Sequence, residues 1–176
     1  MSKHIKFEFD DKLDYQLDAI NSVVNLFNGL SKKGDNIYGS TYRGKNFVEN
    51  EPIRNINITT GEKLLDNLNK VQIENNLFVS KDIEDNNFTV EMETGTGKTY
   101  VYLRSILELN KEYGFTKFII VVPTVAIRTG VEKSIKMLKE HFKILYGIDV
   151  EKHSFVYDSK NIKSISTKLV ESTDLS

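Results

Sequence analysis

FTVEMETGTGKTYVYLRSILELN, residues 88–110, is the stretch whose reading decides the fold. FTVEM reads as a short buried strand, TGTGK as a glycine-rich turn, and TYVYLRSILELNKEY as a helix with Leu103, Ile106 and Leu107 on one face. In the turn, Gly95 and Gly97 let the backbone bend where a Cβ would clash, so that several N–H groups point at one centre beside a helix N-terminus. Such a turn is an anion cradle, with Thr94, Gly95, Thr96, Gly97, Lys98 and Thr99 as its candidate binding residues. Lys98 is suited to the β and γ phosphates of a nucleotide, and the Thr99 hydroxyl to a magnesium ion bridging them, which makes both candidate catalytic residues and Thr99 the candidate metal ligand. Met92 stands where the general pattern GxxxxGK[ST] has its first glycine.

Downstream the pattern repeats. KFIIVV is a run rich in β-branched residues, Pro123 and Thr124 end it, and VAIRTGVEKSIKMLKEHF places Val131, Ile135, Leu138 and Phe142 at helical spacing. Strands alternating with helices predict an α/β fold with a parallel sheet and flanking helices. SFVYD, residues 154–158, offers one more strand before a helical or frayed tail.

Upstream, IKFEF reads as a strand, and DYQLDAINSVVNLFNGL as a helix over about residues 15–30, with Leu17, Ile20, Val24 and Phe27 in register and Asp14 as N-cap. SKKGDNIYGSTYRG has the composition of a loop. Between Asn46 and Asn87 lie ten asparagines and no long apolar period, which predicts an irregular insertion with one short helix at GEKLLDNLNKV. The chain therefore divides into a helical region over 1–40, an insertion over 41–87, and phosphate-loop strand–helix units over 88–176, all within one domain.

Composition narrows the function. Lysine plus arginine (24) nearly balance aspartate plus glutamate (25), so any polynucleotide contact must be local rather than carried by a basic surface. With no cysteine there is neither a disulfide framework nor a thiolate metal site, and His4, His141 and His153 are scattered, which argues against zinc. The amino terminus MSKHIKFEFDD lacks the apolar run of a signal peptide, and no window is apolar enough to span a membrane. The expectation is a cytoplasmic protein without membrane partners.

Two further features bear on ligands. In LDYQLDAI, Gln16 stands at the start of a helix, and a glutamine amide can pair bidentately with adenine N6 and N7, with Phe7, Phe9 or Tyr15 available to stack on the purine. The expected nucleotide is ATP. In VVPTVAIRTG, a strand ending in Pro123 and Thr124 leads into a helix whose first amides and hydroxyls suit a phosphate of a polynucleotide chain, with Arg128 as a further contact. Lys133, Lys136, Lys139 and Lys143 read instead as the wet face of that helix.

Taken together, LDYQLDAINSVVNLF, the run from Phe88 to Phe142, and FVYDSK resemble the restriction (Res) subunit of type III restriction-modification enzymes, within helicase superfamily two. The resemblance leaves out the asparagine-rich insertion. It implies a three-layer, RecA-like P-loop motor domain that binds ATP and Mg2+, of which this chain is an amino-terminal part. A second motor domain would close over the nucleotide, and a carboxyl-terminal nuclease would cut double-stranded DNA. Carried over by motif, Gln16 is the adenine reader, Gly95, Gly97, Lys98 and Thr99 the phosphate and magnesium site, and Pro123 with Thr124 the first DNA contact. Tyr157 and Asp158 match a family segment without an assigned role. The resemblance also implies a methyltransferase (Mod) partner that reads the DNA sequence.

A motor of this kind needs an Asp-Glu pair at a strand end to hold magnesium and orient water, and an arginine from its second domain. Neither GIDVE nor ESTDLS presents that pair after a buried strand, and Glu91 and Glu93 flank the phosphate loop on the wrong side to replace it. The expectation is a portion of a longer chain, inactive alone. Two alternatives stand beside it: another superfamily-two helicase or a type I restriction motor subunit, and a nucleotide-binding regulatory module without hydrolysis.

Overall fold

The computed structural model describes residues 9–29, 61–83 and 87–157. The expected strand at 5–9 (Phe9 excepted), the loop at 31–44, the first part of the insertion, and Asp158 with the tail beyond it lie outside the described residues. Among those described there are four helices: α1, Asp14–Asn25; α2, Gly61–Glu74; α3, Lys98–Tyr113; and α4, Val125–Tyr146.

α1 begins one residue earlier than the sequence predicts, and Asp14 is not its cap. Leu13 holds the N-cap position in an extended conformation without a side-chain cap, and Asp14 lies in the first turn, where its carboxylate complements the helix dipole. The helix closes at Asn25 rather than near residue 30, and carbonyls of the turn that follows it are taken by α2. Asn67, 5% exposed, donates Nδ2 to the carbonyls of Leu26 (3.0 Å) and Asn28 (2.9 Å), and Lys63 Nζ donates to that of Gly29 (2.8 Å). The short helix expected in the insertion is therefore present, three residues longer than predicted, and docked on α1.

α3 is the central element. Tyr100, Leu103 and Leu107 form the core with Leu138 and Phe142 of α4, while Val101, Ser105, Leu109 and Asn110 are buried as well, and α1 packs against the same helix. Phe142 is fully buried, and its ring stacks on Tyr100 at 5.6 Å between centroids. Burying a side chain of that size stabilises by about 1.5–3 kcal/mol. Contacts pair Tyr100 with His141 and Arg104 with Tyr146, so α3 and α4 run in the same sense through their interface. Such a parallel pair is what successive strand–helix units place on one side of a sheet.

α4 starts where expected, with Thr124 as N-cap accepting from the Ile127 amide at 3.3 Å, and runs four residues past Phe142 to Tyr146. Its packing face is the predicted one: Leu138 and Phe142 are buried, Val131 and Ile135 half-buried, and Lys133, Lys136 and Lys143 exposed. Lys139 departs from the wet-face reading, since it is half-buried and pairs with Asp149 (3.4 Å) and Glu151 (3.0 Å).

The expected strands do not form among the described residues. Residues 88–92, 117–122 and 154–157 carry no β-ladder, and Ile119 and Val121 are 86% and 87% exposed. A strand exists only where a neighbour accepts its amides and supplies its carbonyls, and a central parallel strand is covered on both faces. The described residues supply no such neighbour to these apolar runs.

Candidate functional site

The phosphate-loop turn sits directly on the N-terminus of α3. Gly95 and Gly97 both take left-handed φ, 85° and 88°, and Gly97 is the residue from which α3 springs, its carbonyl accepting from the Val101 amide at 3.0 Å. The turn is braced from within: Thr96 Oγ1 donates to the Glu93 carbonyl at 2.6 Å, and the Thr96 amide reaches the same oxygen at 3.4 Å. The first amides of α3 have no acceptor within the helix and carry the positive end of its dipole. Lys98 is exposed and Thr99 half-buried at this terminus, so an ammonium and a hydroxyl flank the amides.

Gln16 is brought to this turn from eighty residues away. Its Nε2 donates to the Thr96 carbonyl at 2.9 Å, and the side chain is buried, 7% exposed. A Cβ on Gly97 would lie 2.5 Å from Gln16 Nε2, so any other residue there would strain φ and also push the Gln16 amide aside. One amide N–H of Gln16 is committed to Thr96, leaving Oε1 and the second N–H, the pair that an adenine edge requires. Of the residues suggested as purine stackers, Tyr15 is half exposed, Phe9 packs on His141 with centroids 5.5 Å apart, and Phe7 lies outside the described residues.

This arrangement fits a nucleoside triphosphate with a divalent cation. The turn offers amides and a lysine to an anion, and a Cβ at Gly95 would meet nothing within 4 Å, so the backbone there is open to approach. Among the described residues no group of three or more His, Asp or Glu could hold a metal ion.

Pro123, Thr124 and Arg128 are exposed at the start of α4, and their bonds stay local. Thr124 spends its hydroxyl on the cap, and Arg128 Nε faces Glu132 at 3.6 Å in an exposed pair one turn along the helix. Such a pair is worth about 0.3–0.5 kcal/mol and yields readily to a phosphate. Tyr157 is exposed.

Sequence reading missed a polar cluster between α3 and α4. Arg104 donates to the Asp11 carbonyl (2.7 Å), to the Tyr100 hydroxyl (3.1 Å) and, through Nε, to the Tyr146 hydroxyl (3.0 Å). Tyr146 passes its own proton to Glu108 at 2.6 Å, and Tyr100 meets His141 Nε2 at 3.1 Å. Burial, then the bond to the Glu108 carboxylate, raises the Tyr146 phenol well above its usual range. Burial lowers His141, with the Arg104 charge adding to the effect and Asp11 opposing it. The spacing Tyr100, Arg104, Glu108 is an i, i+4, i+8 ladder, a signal that was available in the sequence.

Comparison with known proteins now defines the class. A family profile described as "Type III restriction enzyme, res subunit" matches residues 11–171. The chain belongs to that family, which implies a P-loop, helicase-like fold. It is 34% identical over 168 residues to the Res subunit of the type III restriction-modification enzyme EcoPI from Escherichia phage P1, a match covering 92% of this chain and 16% of that protein. The EcoP15I Res subunit of Escherichia coli is 32% identical over 168 residues, again 92% of this chain and 16% of the relative. The StyLTI Res subunit of Salmonella typhimurium is 50% identical over 62 residues, 34% of the chain and 6% of that protein. The chain thus spans about a sixth of the length of the first two relatives. No helix among the described residues is long and apolar enough to cross a membrane.

Proposed function

We propose that this chain is the ATP-binding part of a restriction subunit that uses ATP and Mg2+ to act on double-stranded DNA, in company with a methyltransferase (Mod) subunit. The observation that carries the reading is the Gln16–Thr96 bond, which joins an adenine-compatible amide to a phosphate-compatible turn in a chain of the Res family. Gly95, Thr96, Gly97 and the first amides of α3 cradle the phosphates, with Thr94 at the mouth of the turn. Lys98 neutralises the β and γ oxygens, and Thr99 holds Mg2+, which when bound draws charge from the leaving phosphates. Gln16 reads the adenine. Segments 88–92 and 117–122 lie as strands in one parallel, RecA-like sheet, which would cover the exposed Ile119 and Val121. Pro123, Thr124 and Arg128 contact one strand of DNA.

ATP in this reading drives conformational change: binding closes this domain against a second one, hydrolysis releases it, and a nuclease elsewhere in the protein cuts. Hydrolysis also requires an acidic pair and an arginine from outside the described site, so the 176-residue chain alone is expected to turn over no ATP. Lys98→Ala in the full-length protein should abolish DNA-dependent ATP hydrolysis. Full activity retained by that variant would sink the assignment.

A further inference from the structure

Arg104 sits six residues into α3, the helix that begins at the phosphate loop, and its side chain is 12% exposed. Its close contacts are not with the nearest acid: Glu108 lies 4.0 Å from Nε, and that carboxylate is taken by the Tyr146 hydroxyl at 2.6 Å. The shortest bond of the guanidinium goes to a main-chain oxygen, that of Asp11, at 2.7 Å. Asp11 lies in the turn just before α1, five residues ahead of Gln16. Among the bonds that tie the segment carrying Gln16 to α3, two lie near that residue, the Gln16–Thr96 bond at the loop and the Asp11–Arg104 bond further along the helix, while Tyr113 donates to the Val24 carbonyl at the other end of α1 (3.3 Å).

The two ties do different things. A single hydrogen bond from Nε2 leaves the amide plane free to swing about that contact, whereas bidentate pairing with a base needs the plane fixed. A charge-assisted bond to the backbone at the head of α1 fixes where the Gln16 main chain stands, and so limits the positions its amide can reach. Tyr100 and Tyr146 hold the guanidinium in turn, and Tyr146 belongs to α4, so the anchor is itself braced from both sides.

We infer that Arg104 is a positioning residue for base recognition: by fixing the Asp11 carbonyl to the helix that starts at the phosphate loop, it sets where the Gln16 amide stands relative to the bound nucleotide. The inference rests on the reading of Gln16 as the adenine contact. It requires that Arg104 touch no part of the nucleotide itself.

The test measures the affinities of the full-length protein for ATP, GTP and inorganic triphosphate, with Arg104→Ala and Arg104→Lys beside the parent. In Arg104→Ala the preference for ATP over GTP should fall about tenfold or more, while triphosphate affinity changes by less than about threefold. Arg104→Lys, which keeps the charge and a single donor group, should show an intermediate preference. Affinities that fall in step for all three ligands, or a preference that does not move, would overturn the inference. If Arg104→Ala does not fold, Arg104→Lys decides alone, and a parental ATP-to-GTP ratio in it overturns the inference. A parent that binds triphosphate but does not distinguish ATP from GTP overturns the adenine reading and the inference with it. That failure is visible before any variant is made.

Discussion

Gln16 Nε2 lies 2.9 Å from the Thr96 carbonyl, a bond that joins the first helix to the turn before Gly97 across eighty residues of chain. The contact gives the glutamine a reason to be buried beside a phosphate-type loop.

Gln16→Ala would leave the Thr96 carbonyl without this partner and remove the remaining amide edge. We expect ATP affinity to fall by about one to two orders of magnitude, with triphosphate affinity less affected. Isothermal titration with both ligands checks this, and an equal loss for both would argue against base reading.

The two glycines of the turn should respond unequally to alanine. Gly95 has open space where its Cβ would go and suffers only from φ, a strain of about 1–2 kcal/mol. Gly97 adds a contact of 2.5 Å with Gln16, so Gly97→Ala must also displace that side chain. Nucleotide binding should weaken more in Gly97→Ala than in Gly95→Ala; the reverse order would contradict the geometry.

Phe142 is fully buried against Tyr100, and Phe142→Ala should cost about 3–5 kcal/mol of stability. Chemical denaturation followed by far-ultraviolet circular dichroism is the measurement. A loss under about 1 kcal/mol would mean that α4 does not pack on α3 as described.

Asn67→Ala would remove two of the three side-chain bonds that α2 gives to the turn after α1, at a cost of about 1–3 kcal/mol, chiefly for the buried Leu26 carbonyl left without this donor. Hydrogen exchange at α1 should accelerate in this variant while α4 keeps its protection. Unchanged exchange in α1 would show that the insertion helix does not hold it.

His141 makes stability depend on pH. Tyr100, Arg104 and Asp11 face the ring, with Phe9 and Phe142 packed beside it, and burial holds its pKa below the ordinary 6.5. The unfolded chain therefore takes up the proton first as pH drops, so the contribution is present above 6.5 and is lost as pH falls from there through the lower folded value. Thermal melts at about pH 7.5 and about pH 5.5 should show a larger drop for the parent than for His141→Gln. An identical drop in both would exclude this histidine as the cause.

Much of the helical framework was legible because its signals are local. Leu138 and Phe142 repeat at helical spacing, and Gly95 and Gly97 announce a turn that bulkier residues resist, whereas the capping role of Thr124 came only with the structure. The ends of α1 differ from the local expectation for the opposite reason: Asp14 has the chemistry of a cap, but the chain enters the helix through Leu13, and beyond Asn25 the turn is held by Asn67 of another helix. The runs at 88–92 and 117–122 have strand composition, yet a strand is a relation between segments, and no partner for them occurs among the described residues.

By itself the sequence determined where the glycine turn falls before α3 and which faces of the helices would be apolar, since glycine geometry and a 3.6-residue period act within a few neighbours. Only the tertiary structure decided that Gln16 meets Thr96, that the shortest bond of Arg104 goes to the Asp11 carbonyl, and that His141 is half-buried beside Tyr100. Those pairings join residues 41 to 93 positions apart. They depend on how α1 and α4 come to rest on α3, which no local preference can specify.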